Sequence, residues 1–330
     1  MRFGLMLPSY SFSSLDYEKA GRLKEFARRA EDKGYESLWV VDHLLTAPGL
    51  YGTAWLSPLE TLSFAAAATT RIKLATGILI LALRNPVFLA KEIASLQFLC
   101  GGRFELGVGT GWDPREFAVS GVPHKQRGRR TDEILDILER LWRGRRETHR
   151  GRYYAFEDVA VEPALPERPR LWVAGGSKTP TELSPDPEAM APTVLERICR
   201  RADGWLARAA GSTPSVLADW ARITRRLEEI GRKRGSLIFG HLNFAHVVPT
   251  DEDRVALKEQ RPLFTKVMGA HRSFAHLETS YFLGSPRRMR ERISELAAAG
   301  LEYLVLAPLD YDLDQLELYD SEIIRHFREV

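Results

Sequence analysis

The chain has 330 residues, with 47 basic side chains against 44 acidic ones and a formal net charge of +3. That near balance argues against a dedicated nucleic-acid surface, and no apolar run approaches the ~18 residues of a membrane span. The two cysteines, Cys100 and Cys199, sit apart among apolar residues, as buried thiols do in a reducing compartment.

The chain runs from Met1-Arg2 directly into Phe3-Gly4-Leu5 without a visible leader, so a cytoplasmic protein is expected. Residues 2–8 are an apolar run stopped by Pro8, a buried strand. Leu23, Phe26, Ala27 and Ala30 at helical spacing predict a helix over 16–33, ended by Gly34. A second strand covers 37–42 and ends at Asp42-His43. An alanine-rich helix over 58–70 precedes a third strand over 72–81, and helix 86–99 follows. The fourth strand, 103–108, runs into Gly107-Val108-Gly109-Thr110-Gly111-Trp112. Three glycines at alternate positions let a backbone pass close to something bulky. That reads either as a cradle for an anion or cofactor, or as close packing of the strand. Asp113-Pro114-Arg115-Glu116 is a helix start, with Asp113 at the N-cap, Pro114 at N1 and Glu116 closing a capping box.

The alternation continues with helix 131–142, a hairpin over 150–163, and strand 171–174 leading into Gly175-Gly176-Ser177. Helix 194–201, strand 203–206, helix 215–230 and strand 237–248 come next. Helix 286–299, strand 302–307 and a closing helix over 314–327 complete the chain. Eight buried strands, nearly all followed by helices, predict an α/β fold, a TIM (β/α)8 barrel, as one domain over 1–330. An open doubly wound sheet is the alternative, but Pro8-Ser9-Tyr10 is not the dinucleotide fingerprint its first turn would carry. Insertions fall at about 145–168, 178–192 and 249–284. The last is aromatic and aliphatic, and reads as a lid over an apolar or aromatic small-molecule substrate.

In such a barrel the chemistry sits at the carboxyl ends of the strands. Those ends carry Asp42-His43, Thr76-Gly77-Ile78, Gly109-Thr110-Gly111-Trp112 and Gly175-Gly176-Ser177. One histidine, one carboxylate, small residues and backbone amides suit a cofactor site. No metal is expected, because His241, His246, His271 and His276 lack i,i+4 pairing. Asp310, Asp312 and Asp314 mimic an EF-hand start, but Gln315 stands where glycine is needed. Asp314 and Glu317 read as a capping box. Trp39 and Trp205 read as core, and Arg222, Arg225, Arg226, Arg232 and Arg234 as a solvated helix face.

The ordered set of motifs resembles the bacterial-luciferase-like superfamily. It comprises Gly34-Tyr35-Glu36-Ser37-Leu38-Trp39 with Asp42-His43, Thr76-Gly77-Ile78 with Asn85-Pro86, and Gly101-Gly102-Arg103 with Gly107-Val108-Gly109 and Gly111-Trp112. Arg127-Gly128-Arg129-Arg130, Gly175-Gly176-Ser177, Ala202-Asp203-Gly204-Trp205 and Gly284-Ser285-Pro286 extend it over nearly the whole chain. The resemblance implies a flavin or deazaflavin oxidoreductase that binds coenzyme F420 or FMN. It makes His43 the residue beside the reactive ring, oriented by Asp42. It makes Gly77–Ile78 a cis peptide against the ring, with Thr76 beside it. Thr110, Gly111 and Trp112 would contact the cofactor, Gly175, Gly176 and Ser177 would hold its phosphate, and Arg127 would lie at the phosphate side. Gly128 stands where many FMN monooxygenases carry an aromatic residue. That departure favours F420, as does a basic rim of Lys125, Arg127, Arg129, Arg130 and Lys178 for its acidic tail. The alternatives are an FMN-dependent monooxygenase fed by a partner flavin reductase, and a non-catalytic flavin-binding subunit. A metal-dependent barrel hydrolase is a third and is disfavoured. A homodimer through helices 62–69 and 88–99 is expected.

Overall fold

The computed structural model describes residues 1–11, 17–46, 54–178, 189–269 and 272–328. Its centre is a closed barrel of eight parallel strands. They are β1 (Arg2–Met6), β2 (Ser37–Val40), β3 (Lys73–Thr76), β4 (Phe104–Gly109), β5 (Leu171–Ala174), β6 (Gly204–Ala207), β7 (Ile238–Phe244) and β8 (Tyr303–Ala307). Neighbours in sequence are neighbours in space, β8 returns to β1, and β4 pairs β5 through Leu171 with Leu106 and Val173 with Val108. The open doubly wound alternative is thereby excluded. Every residue of β2, β4 and β8 is buried, as a sheet covered on one face by helices and filled on the other requires.

The wall helices begin where the sequence supplies a cap followed by proline. Helices α2 (Pro58–Ala66), α3 (Pro86–Leu99), α4 (Pro114–Val119) and α10 (Pro286–Ala298) all start on proline. At α3 the Asn85 side chain accepts the Val87 and Phe88 N–H groups at 2.9 and 3.3 Å. Asp113 and Ser285 cap α4 and α10 in the same way, satisfying N–H groups that a helix start leaves unpaired. The remaining wall helices are α1 (Glu18–Asp32), α5 (Arg127–Leu141), α6 (Pro192–Arg201), α7 (Thr213–Glu229) and α11 (Leu313–Leu318). The closing helix differs from the expectation of one regular helix capped at Asp314. Its N-cap is Asp312, whose carboxylate accepts the Asp314 N–H. It widens to a π-turn over Tyr319–Ile324, where fully buried Tyr319 donates to the Ala245 carbonyl at 2.7 Å.

Inside the lower barrel, Trp39, Trp172 and Tyr303 pack edge to face, with centroid separations of 5.4, 6.1 and 5.2 Å. All three are 0% exposed. Their polar ends are satisfied: Tyr303 donates to Ser37 Oγ at 2.7 Å and Trp172 to Glu105 Oε2 at 2.6 Å. Trp39 and Trp205, also fully buried, are core as expected. Gly240 leaves the room for this cluster, since a Cβ there would come within 2.7 Å of the Trp172 ring.

The insertions differ in kind. Residues 145–168 hold the expected hairpin, Glu147–Arg150 against Ala155–Val159. Most of 178–192 lies outside the described residues. The segment 249–284 is built into the body as α8 (Asp253–Met268) and α9 (Phe274–Ser280). Fully buried Gln260 donates to the His246 and Gly284 carbonyls and accepts the Gly284 N–H, tying both ends of the segment together. Phe264, Tyr281 and Phe282 are no more than 2% exposed. They are part of the protein's own apolar core. The apolar residues of α2 also turn inward, whereas α3 leaves Phe88, Phe98 and Leu99 more than 70% exposed. Among the described residues no helix is long and apolar enough to cross a membrane.

The three alternate glycines of β4 and its exit face protein. A Cβ on Gly107 would collide with the Thr76 carbonyl, one on Gly109 would lie 2.5 Å from Ile78 Cδ1, and one on Gly111 would lie 2.8 Å from Ile80 Cγ2. The glycine run thus accommodates the turn that follows β3. We expect Gly107→Ala to lower stability by ~1–3 kcal/mol through overpacking. An unchanged urea midpoint would show that β3 can yield.

Candidate functional site at the barrel mouth

The strand ends of β2 to β5 form one continuous arc of the mouth. After Thr76 the chain leaves β3, passes through a cis Gly77–Ile78 peptide, and rejoins the sheet at Leu79–Ile80 beside Val108–Gly109. The cis bond is the one the resemblance implies. Gly77 and Ile78 are half-buried, so they stand at the surface of the mouth.

Asp42 holds this turn. Its N–H donates to the Ile78 carbonyl at 3.1 Å. Its carboxylate accepts the Ile80 N–H at 2.9 Å and pairs with Arg84 at 3.0 Å. The expected orientation of His43 by Asp42 is therefore corrected. Side chains one residue apart along an extended exit point to opposite sides, and Asp42 faces Arg84. The carboxylate that meets the imidazole belongs to Glu116: His43 Nδ1 lies 3.3 Å from Glu116 Oε1. Glu116 is 1% exposed and also accepts the Leu44 and Leu45 N–H groups at 2.7 and 3.3 Å. Burial works to raise the pKa of Glu116. The His43 hydrogen bond and charge, with the two backbone N–H groups, outweigh it and hold the carboxyl below the usual carboxylate range. Glu116 does not close a capping box. Asp113 alone caps α4, accepting the Arg115 N–H at 2.9 Å.

Around His43 the walls are aromatic. Trp55 and Trp112 lie 5.3 and 6.0 Å from its ring, and Tyr10 lies 5.0 Å from Trp55. Tyr10 donates to the Pro308 carbonyl, joining the exits of β1 and β8. Trp112 is 44% exposed, so it presents a face to the mouth, and Thr110 is half-buried beside it. Thr76 does not. Its hydroxyl is fully buried, donates to the Gly107 carbonyl at 2.7 Å and accepts the Gly107 N–H at 2.9 Å. It braces β3 on β4 from below the surface of the mouth. Gly111, at φ +73°, packs against Ile80 and Phe117.

On the phosphate side, Arg127 is half-buried and donates to the His124 carbonyl at 3.0 Å. Its Nε is buried without a partner. Arg130 bonds Gln126 and Tyr154 and stacks over Tyr153. Of the expected rim, Lys125 and Arg129 are exposed. Beside Gly128 lies the guanidinium of buried Arg197, which donates to the Gly128 carbonyl at 3.1 Å and to Asp132. At Gly175-Gly176-Ser177, the Ser177 N–H and hydroxyl are bonded to Asp219. Sequence reasoning missed Glu116 as a partner of His43, along with Trp55, Arg84 and Asp219. Only Glu116 carried a signal, because it was already singled out, for a different role. Among the described residues no group of three or more His, Cys, Asp or Glu gathers as a metal would need.

A parallel (β/α)8 barrel with an acid-paired histidine and a cis-peptide turn at its mouth defines the class. A model of the luciferase-like monooxygenase family matches residues 1–185, and the chain belongs to that family. It is 38% identical over 161 residues to an F420-dependent glucose-6-phosphate dehydrogenase of Kineococcus radiotolerans, covering 47% of each chain. It is 33% identical over 166 residues to the enzyme of the same name from Amycolatopsis mediterranei, again covering 47% of each. These matches span about half the length of the curated relatives. A solved F420-dependent secondary alcohol dehydrogenase, in complex with an F420–acetone adduct, superposes with a TM-score of 0.78 at 18% identity, covering 98% of both chains. At that identity the likeness shows the fold.

The Glu116 shift has a consequence for acid stability. A carboxyl whose folded pKa lies below its unfolded value stabilises fully above the unfolded value, ~4.3, and loses that contribution as pH falls through the folded value. The stability gap between wild type and Glu116→Gln should therefore be widest near pH 6 and narrow towards pH 3. Urea midpoints across that range test it, and a constant gap would contradict it.

Proposed function

We propose that the chain is an oxidoreductase that binds coenzyme F420 at the barrel mouth and moves a hydride between it and a small organic substrate. Family membership and the F420-dependent curated relatives support this reading. The observation that carries it is the His43–Glu116 pair standing beside the cis-peptide turn. The ring end of the site fits such a group: a half-buried Gly77–Ile78 surface, aromatic walls from Trp55 and Trp112, and a buried Glu116 Oε2 without a partner. When bound, the deazaflavin supplies a ring carbon that gives or accepts hydride. The protein supplies orientation and proton handling. Glu116 at Nδ1 fixes the orientation of the imidazole, so His43 can take a proton from a substrate hydroxyl and return it. Asp42 and Arg84 keep the cis-peptide turn in place. Gly77, Ile78, Thr110, Gly111 and Trp112 would hold the ring, and Arg127 with Gly175, Gly176 and Ser177 would hold the phosphate end. Trp55 and Trp112 suit an apolar or aromatic substrate. The buried free thiols of Cys100 and Cys199 are in keeping with the cytoplasm.

Absorbance titration of the purified protein with F420 and with FMN tests the cofactor. Micromolar FMN binding with none of F420 would instead favour an oxygen-using monooxygenase fed by a flavin reductase. His43→Ala should lower turnover by ~10²-fold or more while cofactor affinity changes much less. Unchanged turnover would make His43 structural.

A homodimer through α3 belongs to the same reading. Phe88, Phe98 and Leu99 are large apolar side chains left exposed on α3, and a stable pair should bury at least ~1,000 Å² in total. Light scattering should show a dimer at micromolar concentration and a monomer for Phe88→Asp/Leu99→Asp. A monomeric wild type would refute the assembly.

A further inference from the structure

The Gly175-Gly176-Ser177 turn at the end of β5 stands where a ligand phosphate is expected, yet its donors are already engaged. The Ser177 N–H donates to Asp219 Oδ2 at 2.5 Å and the Ser177 hydroxyl donates to Oδ1 at 2.6 Å. A Cβ on Gly176 would lie 3.0 Å from the same Oδ2, so the carboxylate rests against the backbone of the turn. Asp219 is 3% exposed although it belongs to the outer helix α7. A carboxylate that receives one backbone N–H and one hydroxyl makes the charge-assisted bonds that two phosphate oxygens would make in the same seat. Gly175, at φ +154°, gives the turn a conformation that side-chain-bearing residues rarely adopt.

A cation on the same helix stands beside this carboxylate. Arg222 NH1 lies 3.9 Å from Asp219 Oδ1 and donates to the Met190 carbonyl from its other nitrogen. Arg208 is exposed, and its Cβ lies 3.5 Å from where a Gly176 Cβ would stand. Arg222 thus offers the Asp219 carboxylate a cationic partner on its own helix.

We propose that Asp219 is an internal stand-in for ligand phosphate. It closes the Ser177 seat in the free protein, and a phosphate-bearing ligand must displace it while a phosphate-free ligand need not. Arg222, three residues on along α7, receives the displaced carboxylate. Asp219 is thus a specificity residue: it weakens phosphate-bearing ligands selectively. The inference deepens the cofactor reading above and rests on it for the identity of the ligand.

The test compares wild type with Asp219→Asn, which keeps the shape and the Ser177 N–H acceptor but removes the charge. Dissociation constants are measured for F420 and for its phosphate-free deazaflavin riboside, and for FMN and riboflavin. The preference for the phosphate-bearing member of each pair should rise by about tenfold or more in the variant, with the phosphate-free affinity little changed. A carboxylate that only braces the segment would weaken both members equally, and an unchanged ratio overturns the proposal. Should neither protein bind any of the four, the cofactor reading fails. The thermal midpoint in millimolar inorganic phosphate then decides the anion seat. A rise in the variant larger than in wild type supports it, and an equal response overturns it.

Discussion

The site depends on how Asp42 grips the turn after β3. Its backbone N–H and its carboxylate bond the two sides of that turn, at the Ile78 carbonyl and the Ile80 N–H. Arg84 supplies the charge that lets a carboxylate only 7% exposed remain there. The geometry then propagates. The displaced segment needs room, which the glycines of β4 provide, and Thr76 spends its hydroxyl closing the gap to Gly107. With Asp42 committed, His43 turns to the other side and finds Glu116 on α4. A backbone feature of one strand thus decides which carboxylate partners the imidazole.

Stability and chemistry are separated along the barrel axis. The lower interior is filled by Trp39, Trp172 and Tyr303, whose polar ends bond Ser37 and Glu105. A filled core of this kind leaves the upper end as the place where loops can vary. A cleft of about 1090 Å³ also opens at the amino-terminal face, among Lys73, Phe104, Arg168, Arg170 and Asp203. Three of its cations are paired internally: Arg168 with Asp203, Arg170 with Glu105, and Lys73 with Glu36 and Glu105. Volume alone therefore points away from the chemistry, and the mouth is recognised by its functional groups.

The insertion over α8 and α9 shows the same economy. Gln260 joins its two ends, and Arg292 donates to the Glu278 and Thr279 carbonyls at 3.1 and 2.9 Å, closing the end of α9. Burial pushes Arg292 down to about 10, with the Arg288 charge adding to it. The guanidinium still remains cationic at neutral pH and can cap a helix end. Among the segment's described residues, Phe264, Met268, Leu277, Tyr281 and Leu283 pack into one apolar cluster with Leu309.

What the sequence by itself determined was the alternation of buried strands and capped helices, and with it the barrel. Apolar runs of strand length and Ser/Asn/Asp-Pro helix starts are local signals, and local signals survive without tertiary context. Strand order then placed Asp42-His43, Gly77-Ile78, Trp112 and Gly175-Gly176-Ser177 at one mouth. The partners of those residues were not legible. Glu116 lies 73 residues from His43, and Asp219 lies 42 from Ser177. Glu116 could serve its own helix start, as the local pattern suggested, or reach across to a neighbouring loop. The choice was made by burial, because a carboxylate withdrawn from water needs hydrogen-bond donors, and Oε1 finds three. Those donors are the His43 ring and two N–H groups of the β2 exit. Which donors lie within reach is set by the closure of the barrel, and no spacing along the chain records it.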